Sequence, residues 1–97
     1  MKAVKRLEIV IAARQMTQVC RLLEQHGVSG YTLIREVAGK GERGMQFADG
    51  LNAAFANSYL LTTCDPDVLP ALVEALRPLL SRHGGECLVT DALSVRH

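Results

Sequence analysis

The hexapeptide Gly39-Lys40-Gly41-Glu42-Arg43-Gly44 gathers the residues of this chain best suited to hold an anion. Glycine lets backbone N–H groups converge on a ligand with no Cβ in the way. Lys40 adds a mobile point charge and Arg43 a forked pair of donors. Such a composition suits phosphate, and the plainer reading is a loop with solvated charges. It is not a P-loop, because no Gly-Lys-Ser/Thr opens a helix here. Other chemistry is thin. Cys20, Cys64 and Cys87 are odd in number, widely spaced and set in apolar stretches, which predicts core thiols in a reducing compartment. His26 and His83 have no second ligand at helical or hairpin spacing, so no metal site is expected. Asp65 and Asp67 flank Pro66 at a helix start, where capping explains them better than acid–base work, with Asp67 as the expected N-cap. No nucleophile–base pair can be read from the spacing, and no catalytic residue or enzyme activity is expected.

An internal repeat positions the hexapeptide. Leu22-Leu23-Glu24-Gln25-His26-Gly27 and Leu79-Leu80-Ser81-Arg82-His83-Gly84 both read Leu-Leu-x-x-His-Gly. Each glycine falls where a helix wants a left-handed C′ residue, and each histidine sits in a last turn that favours a cation. Ahead of the first helix, Leu7, Ile9 and Ile11 alternate with Arg6, Glu8 and Val10, the period of a strand. Met16, Val19, Cys20 and Leu23 then form one face of a helix. Tyr31 to Val37 reads as a second strand and Ser58 to Cys64 as a third. Leu69, Leu72, Val73, Leu76 and Leu80 stripe a second helix, with Pro70 tolerated in its first turn and Pro78 expected to kink its last. Glu86 to Val95 closes the set. The order is βαβ, connection, βαβ: an α+β, ferredoxin-like βαββαβ fold with a four-stranded antiparallel sheet and two helices on one face.

With 97 residues the chain builds a single domain, 1–97, with one core and a long loop at about 40–56. Helices on one side leave the other sheet face bare. Tyr31, Leu33, Leu60 and Val10 are expected to make that face apolar, which predicts self-association through the sheet. A formal net charge of +1 gives no reason to expect nucleic-acid binding, and four aromatic residues supply few base-stacking platforms. Met1 to Arg6 lead straight into a strand without a signal-peptide core, and no apolar run is long enough to insert in a membrane. A cytoplasmic protein is expected.

The run Gly27-Val28-Ser29-Gly30-Tyr31-Thr32, a strand, and then Gly39-x-Gly41 resembles the corresponding region of PII signalling proteins. There a Gly-x-x-Gly-x-Thr segment enters the second strand and Gly-x-Gly opens the long T-loop. Gly39-Lys40-Gly41-Glu42-Arg43-Gly44 is similar to the PII-like subgroup associated with bicarbonate uptake and carboxysomes (the SbtB and CPII types). The resemblance runs over almost the whole chain. It implies a homotrimeric signal-transduction protein that binds ADP, AMP or cyclic AMP between subunits, with bicarbonate as a candidate second effector. It also implies signalling through the T-loop to a transporter or carboxysome-related target. The nucleotide would be walled by Gly30, Tyr31 and Thr32 of one subunit, and by Gly39, Lys40, Gly41, Arg43, Gly85, Glu86 and Leu88 of its neighbour. A Gly85→Trp change should then fill the cleft and spare the fold. Two departures stand out. Glu86 occupies the place of a family lysine, and no tyrosine lies between Gly44 and Asn57, so uridylylation is not implied. The alternative from another class is a small ferredoxin-fold phosphate-handling enzyme of the acylphosphatase type, using Arg43 with Asn52 or Asn57. A divalent-cation tolerance protein is a third reading, and it would need histidine or cysteine clusters that the sequence lacks.

Overall fold

A computed structural model describes residues 1–37, 39–41, 44–46 and 57–95, the side chains of 36–46 excepted. The first strand, β1 (Lys2–Ala12), sends Leu7, Ile9 and Ile11 into the core at 1% exposure or less. A 3-10 turn at Ala13–Gln15 leads into α1 (Met16–Gln25), which buries Met16, Val19 and Leu23 on the predicted stripe. Its end is held as the His-Gly repeat implied. Gly27 takes φ 81°, and the Val28 N–H reaches back to the Leu23 carbonyl at 2.9 Å. His26 donates from Nδ1 to the Leu22 carbonyl at 2.8 Å, so its ring finishes its own helix.

After β2 (Tyr31–Val37), two short strands, β3 (Gly39–Gly41) and β4 (Gly44–Gln46), pair antiparallel as a separate hairpin. The base of the expected loop therefore has strand structure of its own. The second half runs through β5 (Asn57–Cys64), α2 (Leu69–His83) and β6 (Glu86–Ser94). Asp67 does not cap α2: Val68 holds that position, without a side-chain bond. Pro70 lies in the first turn as expected. Pro78 lies inside the helix, which nevertheless continues to His83. Gly84 closes it at φ 69°, with the Gly85 N–H bonded to the Leu80 carbonyl at 3.0 Å.

The main sheet runs β2-β5-β1-β6, antiparallel throughout, which is the βαββαβ arrangement. Register decides its two faces, because directly paired residues share a face. Leu60 pairs with Ile9, Leu33 with Leu60, and Tyr31 with Thr62. All of these therefore stand on the helix side. Leu60 is fully buried and Leu33 packs against the core. The expectation that Tyr31, Leu33 and Leu60 form the bare face is corrected by one residue of parity, while Val10 does belong there.

The middle of the open face holds three rows. Thr63, Arg6 and Thr90 make the first, with Gly30 beyond Thr63 at the β2 edge. Thr32, Leu61, Glu8 and Leu88 make the second. Ile34, Tyr59, Val10 and Glu86 make the third. Ile34 and Leu88 are half exposed, at 50% and 53%. No helix covers this face, as predicted, but it is mixed rather than apolar: Leu61, Leu88, Ile34, Val10 and Tyr59 stand among Arg6, Glu8, Glu86 and three threonines.

Candidate functional site

The sequence-predicted ligand residues divide between the two sheet edges. Gly30, Tyr31 and Thr32 enter β2 at one edge. Their turn is tied to β5 by the Thr62 hydroxyl, which donates to the Gly30 carbonyl at 2.6 Å. Thr62 is itself 4% exposed, so this bond is sheltered. Around it lies an open cleft of about 300 Å³, walled by Arg6, Gly30, Tyr31, Thr32, Leu61 and Thr63. The Tyr31 ring leans toward α1, and a hydrogen bond with the Cys20 side chain raises its phenol above the ordinary tyrosine value. Its backbone, rather than its ring, faces the cleft that Thr32 borders.

Gly85, Glu86 and Leu88 start β6 at the opposite edge, and they do not act alike. Glu86 pairs with Val10 and Leu88 with Glu8, so both side chains stand on the open face. Gly85 faces inward. A Cβ placed on it would meet Ile11 Cγ1 at 2.8 Å and Leu80 Cδ2 at 3.0 Å. The Gly85→Trp expectation is therefore wrong in its second half: the replacement would strike buried core. Any ligand contact from Gly85 comes from its backbone. Gly85 and Cys87 also line a groove of about 400 Å³ between α2 and β6, with Val73, Arg77 and Val89. Burial pushes the Cys87 thiol up to about 11, with Cys64 nearby adding to the shift, so Cys87 is a protonated core thiol. Cys64 is raised for the same first reason, burial, followed by Asp65 and Asp67.

Gly39, Lys40 and Gly41 form β3, with Lys40 paired to Met45 through the backbone. Arg43 and the 47–56 stretch lie outside the described residues. Among the described residues, no group of three histidine, cysteine or acidic side chains could hold a metal ion, and no helix is long and apolar enough to cross a membrane.

Thr32 and Leu88 share one row of the open face but lie on its outermost strands. Three interstrand spacings separate them by roughly 14 Å, with Leu61 and Glu8 between. A small ligand touching both edges of one chain would have to lie flat across the sheet.

Sequence reasoning missed the polar centre of the open face. Tyr59 donates from its hydroxyl to Glu8 Oε2 at 2.7 Å, and Arg6 Nη2 lies 3.2 Å from Glu8 Oε1. The bond to Glu8 raises the Tyr59 phenol, and burial adds to it, while Arg6 pulls the other way. Arg6 and Glu8 at i, i+2 on a strand were a readable pair. Tyr59 could be added only once the β1–β5 register was known.

The family model for nitrogen regulatory protein P-II matches residues 4–97. No curated protein matches the chain. Among solved structures, CPII from Thiomonas intermedia K12, a nitrogen regulatory PII-like protein bound to ADP, AMP and bicarbonate, superposes with a TM-score of 0.89 at 27% identity, over 98% of this chain and 91% of that one. The same protein bound to ADP and bicarbonate gives 0.85 at 27% identity, with the same coverage. A PII-like signalling protein from Thermus thermophilus gives 0.78 over 96% of this chain and 90% of that one; at 19% identity it supports the fold alone. Matched from its first strand to its last residue, the chain belongs to the nitrogen regulatory protein P-II family, and its structure is similar to that of CPII.

Proposed function

We propose that this chain is a cytoplasmic homotrimeric regulator that binds an adenine nucleotide (ADP, AMP or cyclic AMP) in clefts between subunits and signals through its 40–56 loop. The observation that carries this reading is the division of the ligand residues between opposite edges of one sheet. Gly30, Tyr31 and Thr32 of one copy would face Gly85, Glu86 and Leu88 of the next, with the Gly39–Gly41 strand, Lys40 and Arg43 above the join. Backbone groups at the Gly30 turn would read the base edge, assisted by the Thr32 hydroxyl. Lys40 and Arg43 would take the phosphate, Arg43 with the stronger grip because its donors are forked. Bicarbonate is the candidate second effector, supported by the ligands of the CPII relative. The target would be a transporter or another protein of inorganic-carbon handling, including carboxysome components. The chain acts by binding rather than by turnover, in keeping with a signalling family.

Glu86 shapes the ligand choice. A carboxylate stands at the sheet edge where the family resemblance implies a lysine, and it disfavours each added phosphate charge. The reading therefore expects a mono- or diphosphate rather than magnesium triphosphate. Calorimetric titration with AMP, ADP, ATP and cyclic AMP, with and without bicarbonate, tests it. Saturable binding of one of these at one site per subunit supports the reading. No heat and no protection with any of them overturns it.

A further inference from the structure

The two Leu-Leu-x-x-His-Gly repeats also build a groove that the proposed function leaves unused. It lies between α1 and α2, with a volume of about 320 Å³. Its two walls come from matching positions of the repeats. Leu22 and Leu79 are the first leucines, and Gln25 and Arg82 follow them by three residues. Arg21 and Pro78 stand immediately before those leucines, and Gln18 and Ala75 three residues further back. The walls match in position and differ in chemistry. Leu22 and Leu79 are half-buried against the core, and with Ala75 and Pro78 they make an apolar floor. Gln18, Arg21, Gln25 and Arg82 are exposed above it.

Among the described residues, no acidic side chain lines this groove. The two carboxylates of the helices are turned elsewhere. Glu24 lies near Tyr31, on the β2 side of α1, and Glu74 pairs with Arg77 at 3.3 Å. Arg21 enters no ion pair among the described residues. The groove is an apolar slot under a positive field. We propose that it docks an acidic amphipathic helix of a partner protein, with apolar anchors on Leu22, Pro78 and Leu79 and carboxylates on Arg21 and Arg82.

Length and charge choose this occupant. Each wall spans two helical turns, or about 10 Å, which suits a helix with anchors spaced i, i+3 or i+4, and i+7. A second copy of this chain docking by the same patch would set arginine against arginine, since a two-fold contact brings identical surfaces together. A basic helix meets the same repulsion. A carboxylate instead gains forked, charge-assisted hydrogen bonds from a guanidinium. None of the residues proposed to hold the nucleotide lines the groove, so docking here stands or falls independently of that reading.

The test uses the full chain and a fluorescent synthetic helix of about 18 residues, with leucine on one face, glutamate flanking it and alanine elsewhere. One control peptide carries lysine in place of glutamate, and another serine in place of leucine. Anisotropy is read at low and high salt. The glutamate–leucine peptide is expected to bind, to weaken severalfold as salt rises, and to bind at least tenfold tighter than either control. Arg21→Glu turns the attraction into repulsion and should weaken binding by about tenfold. Gln25→Glu brings an acid into the groove and should weaken it severalfold, which provides a second measurement if Arg21→Glu does not fold. Circular dichroism checks the fold of each variant. No binding of the glutamate–leucine peptide at low salt overturns the proposal. Equal binding of the lysine peptide overturns it, and so does equal binding of the serine peptide, since the field alone would then suffice. Affinity unchanged in both folded variants also overturns it. If sedimentation shows that Arg21→Glu abolishes self-association of the chain, the groove belongs to a second copy and the proposal falls.

Discussion

Gly85 offers a direct test of whether the α2–β6 junction is set by packing or by ligand. A methyl group at this position would lie 2.8 Å from Ile11 Cγ1, 3.0 Å from Ile11 Cβ and 3.0 Å from Leu80 Cδ2. Comfortable carbon–carbon contacts are about 3.5–4.0 Å, so three contacts are short at once. Ile11 cannot yield easily: it is 1% exposed and β-branched, and it sits in an inner strand of the sheet. Overpacking of this kind costs about 1–3 kcal/mol. Gly85→Ala should lower thermal stability by several degrees, since 1 kcal/mol is worth about 4–8 °C in a domain of this size. The assay is thermal or urea unfolding at fixed protein concentration, because assembly adds to apparent stability. Two glycines calibrate the result. Gly84→Ala forces a Cβ onto φ 69° and should cost about 1–2 kcal/mol from backbone strain. Gly30→Ala has no atom within 4 Å of the new carbon and should stay within about 0.5 kcal/mol of wild type. A Gly85→Ala protein as stable as the Gly30→Ala protein would refute the argument, and would return Gly85 to the role of a cleft residue open to substitution.

Arg43→Ala should weaken nucleotide binding by about 1.5–3 kcal/mol, or roughly tenfold to a hundredfold; calorimetric affinity within error of wild type would remove Arg43 from the site. Glu86→Lys should raise affinity for ATP and ADP more than for AMP, because each added phosphate charge gains from the reversal; an equal change for all three would show that Glu86 lies away from the phosphates. With its thiol pushed up to about 11, Cys87 stays protonated through neutral pH, so its alkylation by iodoacetamide should be slow at pH 8 and accelerate toward pH 11. Fast labelling of Cys87 at pH 8, read by peptide mass, would contradict its burial.

Local signals carried the fold into the sequence. In β1 the apolar set Leu7, Ile9 and Ile11 alternates with polar Arg6 and Glu8, so one face could be read directly. The Leu-Leu-x-x-His-Gly repeat marked both helix ends because left-handed glycine and a capping histidine are nearest-neighbour effects. β5 was different. Tyr59, Leu60 and Leu61 are consecutive and all apolar enough for either face, so alternation alone could not assign them. Pairing of Leu60 with Ile9 settles the parity, and such pairing is a long-range fact. Gly85 was opaque for a related reason. Behind a capping Gly84 it looked like spare flexibility, and its close approach to Ile11 exists only once β1 and α2 are packed together.

The same distinction applies to the candidate site residues. Gly39, Lys40 and Arg43 could be named from residue type, since the chemistry of an anion asks for backbone access and cations, whereas Gly30 and Thr32 were named from the family resemblance. The separation of the Gly30–Thr32 segment from Glu86 and Leu88 could not be read at all, because it depends on β5 and β1 standing between β2 and β6. That interposition has a consequence for regulation. A ligand held at a join between copies binds in proportion to the amount of join present, so nucleotide affinity and assembly are linked by mass action. Any change that loosens such a join should appear as weaker nucleotide binding at low protein concentration and as normal binding at high concentration. A change at Arg43 should weaken binding equally at both. Affinity measured at two protein concentrations therefore separates residues that build the cleft from residues that grip what enters it.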